Sequence, residues 1–257
     1  MSVIQSVKML LPRPFRLWTK RSLGAWVRIQ EEHASQCFSQ EGEELIINRL
    51  LQPPKSNAPG FYIDVGAHHP HICSNTYYFY NKGWRGINID AKPGTKALFE
   101  LKRPRDINLE LAIAESAGEL TYYEFNLPLL NGFDLALAET RASDPAFRLT
   151  GTRQVPVRPL RDVLTEHMPE GQLIDFMSVD VEGLDLQVLR SNDWNQFRPR
   201  LILAEDASVV TLDDARSAPL CKYLATVGYT AIGKAALTMF FVADGHLVRT
   251  STGHMIS

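Results

Sequence analysis

Apolar positions along this chain fall into two spacings that take turns. Short apolar runs, Phe61-Tyr62-Ile63-Asp64-Val65 and Arg85-Gly86-Ile87-Asn88-Ile89-Asp90, read as strands buried on both faces, and longer stretches with three- and four-residue apolar spacing read as helices. Residues 39–51 predict the first helix, opened by Ser39 and acids in its first turn and stopped by Pro53-Pro54. After the strand at 61–65 come Gly66, a loop and a short helix over 74–80 ending near Gly83. The strand at 85–90 leads to a helix over 93–102, with Pro93 in its first turn, and then to a strand over 108–114. Two more strand and helix pairs follow, at 173–180 with 183–190 and at 200–205 with 213–227, and residues 228–242 predict a closing hairpin.

Strands separated by helical stretches predict a parallel sheet with helices on both faces, here with seven core strands. Residues 127–154 break the alternation, lack periodicity and hold Asn131-Gly132 and Asp144-Pro145, so they predict a variable insertion near the mouth of a site. Composition adds a second boundary. Six of the 27 basic residues and none of the acids fall in residues 1–30, interleaved with Trp18, Trp26 and several leucines. Residues 1–37 therefore predict a basic amphipathic segment preceding a domain over 38–257. Charge interrupts that segment too often for a bilayer span, and it has no apolar signal core, but its pattern suits an anionic membrane surface. A helix packed on the domain or on a partner would carry the same pattern.

The net charge of −2 excludes a chain whose main task is gripping nucleic acid. Cys37, Cys73 and Cys221 are odd in number and widely spaced, as expected of free thiols in a reducing, cytoplasmic setting.

In an open parallel sheet, ligands sit beyond the carboxyl ends of the strands. Asp64, Gly66 and Asp90 fall at that edge: the glycine admits close backbone approach, and an acid ending the second strand can accept both hydroxyls of a ribose. The loop reads Gly66-Ala67-His68-His69-Pro70-His71 and lacks the spaced glycines of a dinucleotide enzyme, which disfavours a nicotinamide oxidoreductase. It suits a nucleoside without phosphates, although acids that merely cap strand ends would look the same.

Six motifs carry a resemblance. Ser39-Gln40-x-Gly42-Glu43-Glu44, Tyr62-Ile63-Asp64-Val65-Gly66-Ala67, Ser74-Asn75-Thr76, Gly83-Trp84-x-Gly86-Ile87, Ser178-Val179-Asp180-Val181-Glu182-Gly183 and Arg198-Pro199 together resemble the FkbM methyltransferases over residues 38–242. The resemblance implies a class I methyltransferase fold, Rossmann-like, with seven mostly parallel strands and a C-terminal antiparallel hairpin. It also implies S-adenosylmethionine as cofactor and a hydroxyl of a sugar, glycolipid or small natural product as acceptor. Carried over by position, Asp64, Gly66 and Ala67 form the cofactor loop, Asp90 meets the ribose, and Glu110 completes the cofactor set. The chain departs from the family in its His-rich loop and in Asp90-Ala91-Lys92-Pro93, where a Glu-Pro pair is frequent.

A second group of acids, Asp180, Glu182, Glu205 and Asp206, falls at the ends of the fourth and fifth core strands. Asp180 with the Glu205-Asp206 pair is similar to the metal site of catechol and macrocin O-methyltransferases and suits Mg2+, which prefers oxygen ligands. Gly183 stands where those enzymes place a basic group. Without a metal, a hydroxyl needs a general base, and His68, His69 and Glu182 are the candidates. A zinc site from His68, His69, His71 and Cys73 is disfavoured, because adjacent ligands in one loop rarely close a tetrahedron. The competing expectation is a methyltransferase-fold scaffold that has lost catalysis.

Overall fold

A computed structural model describes residues 36–51 and 59–246, together with the backbone of two short strands at 248–249 and 255–256. The predicted basic segment lies almost wholly outside the described residues.

Glu43–Leu50 form α1. The helix begins later than Ser39 because Gly42 caps it in a left-handed conformation, and the fully buried Glu44 folds back to accept from Ser39 and the Phe38 amide. Phe61–Val65 form β1, buried at all five positions as a central parallel strand requires. Next come α2 (Tyr77–Asn81), β2 (Arg85–Asp90), α3 (Thr95–Lys102) and β3 (Ile107–Glu110).

The strand expected over 108–114 is two strands: β3 ends at Glu110, and Ala112–Ile113 form β4 in a different sheet. There follow β5 (Gly118–Phe125), α4 (Leu135–Ala142), β6 (Leu149–Arg158) and α5 (Leu160–His167). The chain continues through β7 (Phe176–Val179), α6 (Asp185–Arg190) and β8 (Leu201–Glu205). The helix expected over 213–227 is split into α7 (Leu212–Ala215) and α8 (Pro219–Thr226), the second opened by Pro219. Tyr229–Ala235 (β9) and Thr238–Ala243 (β10) close the domain as an antiparallel hairpin.

The large sheet has seven strands in the order β3-β2-β1-β7-β8-β10-β9, all parallel except β10, which runs antiparallel to both neighbours. The order reverses between β1 and β7, which puts the switch point beside Gly66 and Asp180. One face packs on a core that includes Ile63, Ile87, Met177 and Ile202 with Leu160, Val163 and Leu164 of α5. Each of those three α5 side chains is fully buried, worth about 1.5–3 kcal/mol of apolar transfer apiece. On the other face Tyr62, Phe79, Trp84 and Phe176 form an aromatic cluster with α1 and α2.

A buried polar row crosses that second face. Ser178, Asp64, Asn88 and Asn108 stand in register on β7, β1, β2 and β3, none more than 7% exposed. Such groups need partners, and Asn88 donates to both Asp106 and Asn108.

The insertion is larger than its aperiodic stretch. β4, β6 and β5 make a separate three-stranded sheet, so the excursion from the main framework runs from residue 112 to residue 158. No helix among the described residues is long and apolar enough to cross a membrane.

Candidate active site

The chain turns sharply after β1. Gly66 has a φ of 84°, and a Cβ there would lie 1.7 Å from the Asp180 carbonyl oxygen. That close approach to the loop after β7 by itself requires glycine. The Gly66 and Ala67 amides both donate to the Ile89 carbonyl and hold the loop against β2.

Asp90 clamps two loops with one carboxylate. Its Oδ2 accepts from the His68 amide at 2.7 Å, and its Oδ1 accepts from the Lys92 amide at 2.8 Å. The first bond supports His68 in a left-handed conformation, φ 50°, unusual for a residue with a side chain. Burial pushes the Asp90 carboxyl up, opposed by those two amides.

Asp64 sits behind this wall and does not line the cleft. It is 5% exposed and accepts from Thr76 Oγ1 at 2.7 Å. Burial pushes its carboxyl up to about 6, with the Thr76 hydrogen bond and the Arg103 guanidinium pulling the other way. Glu110, expected at the cofactor, is drawn away from the cleft: its Oε2 accepts from the Gly94 and Lys96 amides and satisfies the open N-terminus of α3.

A cleft enclosing about 700 Å³ of space open to solvent lies over the switch point. Gly66, His68, Asp90 and Lys92 line one side, with apolar surface from Ile89, Leu111 and Ile113. The insertion supplies the opposite wall through Tyr122, Leu129, Asn131 and Phe133. Burial pushes the Tyr122 phenol up to about 12, so it stays protonated at neutral pH. His69 turns its ring onto its own loop, where Nδ1 accepts from the His71 and Ile72 amides. That satisfies the tight turn and leaves only Nε2 of His69 for other partners. Burial lowers the pKa of both His68 and His69, so both rings are neutral at pH 7.

Asp180 and Glu182 line the third side. Asp180, Glu182 and Glu205 each offer one carboxylate oxygen, and the three lie within 4.8 Å of one another. Asp180 is exposed at the cleft edge, yet partial loss of hydration on the side packed against the protein and the negative charges of Glu205, Asp185 and Glu182 push its carboxyl well above the usual range. Glu182 has a φ of 55° and is followed by Gly183 at 100°, a turn that swings its side chain back to an ion pair with Arg141 of α4. Asp206 does not join the group. Its Oδ1 accepts from the amide and hydroxyl of Ser208 and closes the turn after β8.

Sequence reasoning missed Thr76, Arg103, Arg141 and Asp185 as members of this neighbourhood. Thr76 stands in a quoted motif, but nothing in the pattern marks Arg103 or Arg141 apart from other basic residues.

A family model for the methyltransferase FkbM domain matches residues 64–229, from the acid of β1 to the first residue of β9. The chain belongs to the FkbM methyltransferase family. The seven-stranded, mostly parallel sheet with its C-terminal hairpin is the fold expected of an FkbM methyltransferase. The chain is also similar to methyltransferase FkbM from Methylobacillus flagellatus KT, solved at 2.20 Å resolution, with 13% identity and a TM-score of 0.43. That likeness covers 74% of this chain and 44% of the other, so the chain spans less than half of that FkbM protein. No curated protein matches the chain.

Proposed function

We propose that the protein transfers a methyl group from S-adenosylmethionine to a hydroxyl oxygen of a sugar, glycolipid or other small acceptor. The observation that carries this reading is Asp90, a carboxylate set between apolar walls in the cleft at the switch point of the sheet. The residues fit the cofactor. Each Asp90 oxygen keeps lone-pair capacity beyond its one amide, enough for ribose hydroxyls, and Leu111, Ile113 and Phe133 offer apolar surface to a purine. The carboxylates of Glu182 and Glu205 supply negative potential for a cationic sulfur.

When bound, S-adenosylmethionine supplies an electrophilic methyl group on that sulfur. The protein must take the acceptor's proton as the oxygen attacks. His68 is the favoured proton acceptor: it lines the cleft, and burial keeps an imidazole nitrogen unprotonated at neutral pH. Glu182 lines the same cleft but is engaged by Arg141. His69 is outside the lining and half-occupied by backbone amides, which makes it the weakest of the three.

Calorimetry with S-adenosylmethionine and with NAD, followed by transfer of labelled methyl to a panel of hydroxylated acceptors, tests the reading. Binding of the first cofactor alone, with label in an ether linkage, is the expected result. Binding of neither would support the scaffold alternative.

A second reading is favoured by the convergence of Asp180, Glu182 and Glu205. Three carboxylate oxygens within 4.8 Å suit a divalent cation such as Mg2+, which would orient the acceptor hydroxyl and lower its pKa. Full turnover after exhaustive chelation would eliminate it.

A further inference from the structure

Arg103 follows α3, and none of its side chain meets solvent. Two hydrogen-bond relays leave its single guanidinium. Nη1 donates to Thr76 Oγ1 at 2.9 Å, and Thr76 donates on to Asp64 Oδ2 at 2.7 Å. Nη2 donates to the Tyr62 hydroxyl at 2.6 Å, and Tyr62 donates on to Asp106 at 2.8 Å. Nε reaches Asp106 directly at 2.8 Å, while Nη1 also lies 3.4 Å from the Pro70 carbonyl and from Ser74 Oγ.

The donors and acceptors available set the direction of these bonds. A guanidinium has donors only, and each hydroxyl has one proton. Thr76 and Tyr62 therefore accept from Arg103, and the proton of each goes to a carboxylate, for Thr76 in preference to the more distant Ser74 Oγ at 3.3 Å. A carboxylate receiving such a bond is stabilised in its charged form.

We propose that Arg103 is a positioning residue for the cofactor site: through Thr76 it holds the Asp64 carboxylate charged and in place, and it pins the loop from Gly66 to Thr76 that carries His68. The proposal rests on reading that site as one for S-adenosylmethionine. Arg103 is the cation facing Asp64, set against the negative charges of Asp90 on β2 and Asp106 before β3, while burial opposes ionisation most strongly. A charge behind the cleft wall acts on a cation in the cleft, since at 5% exposure Asp64 is little screened by solvent. Lysine could not replace Arg103, since one ammonium cannot serve both relays with the same planar fork.

The test compares wild type with Thr76→Val, which keeps the shape and deletes the relay hydroxyl, and with Arg103→Met. Two midpoints are read: the titration of the Asp64 carboxyl by NMR without ligand, and the pH dependence of the S-adenosylmethionine dissociation constant by calorimetry. In the wild type the first is expected near pH 6, and the second is expected to follow it. In Thr76→Val both are expected to rise together by about one pH unit, and further in Arg103→Met if that variant folds. A loop that is merely supported by Arg103 would bind more weakly at every pH with no shift in midpoint. An unmoved Asp64 titration in folded Thr76→Val overturns the relay, and a binding midpoint that stays put while Asp64 shifts overturns the link to the cofactor. Wild-type protein that binds no S-adenosylmethionine at any pH overturns the cofactor reading instead, and the NMR titration still decides the relay.

Discussion

Arg141 and Glu182 join the insertion to the large sheet. The guanidinium pairs with Glu182 in the loop after β7 and also donates to the Leu130 carbonyl at 2.7 Å, so one side chain ties α4, its own preceding loop and the cleft edge together. Gly132 presses on the same place, where an added Cβ would come within 3.2 Å of the Glu182 Cβ. Both charged side chains are mostly shielded, at 16% and 26% exposure, which makes the pair worth more than a surface bridge. Arg141→Ala is expected to lower stability by about 1 kcal/mol and to raise the KM for cofactor several-fold by loosening the wall. Thermal unfolding and steady-state kinetics read both, and a variant unchanged in each would reduce the pair to an incidental contact.

Two glycines share a φ of 84° but differ in surroundings. Gly66 abuts the Asp180 carbonyl, whereas nothing lies within 4 Å of a Cβ at Gly94. Gly94→Ala should therefore meet only the backbone penalty, about 1–2 kcal/mol. Gly66→Ala adds a clash with backbone that has no free rotamer to yield, and it should abolish soluble folded protein or drop the melting temperature far more. Equal melting temperatures for the two variants would contradict the close contact between the loops.

Asp185 carries a stability cost that depends on pH. It is 5% exposed, its Oδ1 has no partner among the described residues, and burial together with the Glu205 charge pushes its carboxyl up to about 7 from 3.8. The folded protein thus holds this proton more tightly than the unfolded chain does. The contribution of Asp185 to stability is therefore best below about pH 4 and declines as pH rises to about 7. Asp185→Asn should be more stable than wild type at pH 8, by on the order of 1–3 kcal/mol, and equal to it near pH 4. Urea unfolding at the two pH values decides, and a gain of the same size at both would mean that ionisation is not its source.

His68 gives a kinetic signature. A base must be unprotonated to act, so the rate should climb with pH through the His68 pKa, which burial sets below the ordinary value of 6.5. His68→Gln is expected to lose about 100-fold in kcat at saturating cofactor together with that acid limb. A variant that keeps the limb would transfer the role to Glu182.

Much of the large sheet was legible because its central strands are buried on both faces. β1 and β2 have the bounds expected of their apolar runs, since the interior of each strand is buried without a break. The second sheet was not legible, and β5 shows why: only Tyr122 and Phe125 of its eight residues are buried, three apart, so no period of two survives. α5 could have been found, because Leu160, Val163 and Leu164 follow Pro159 at helical spacing. At the site, Asp90 and the acids after β7 line the cleft as strand-end acids do, while Glu110 and Asp206 turn to nearby amides. A strand-end acid is equally suited to nearby amides, and in both cases those amides claimed it. Arg103 left no trace because its partners are scattered from Tyr62 to Asp106, brought together only by the folded sheet.

The two ends of the insertion lie side by side. Ala112 pairs with Val157 and Ile113 with Arg158, so the chain departs and returns one strand-width apart. Once such a seam is sewn, lengthening the intervening chain adds only a logarithmic entropy term, about 0.6 kcal/mol for each doubling. The wall opposite Asp90 can then change in length and make-up without disturbing the half of the cleft that holds Asp90.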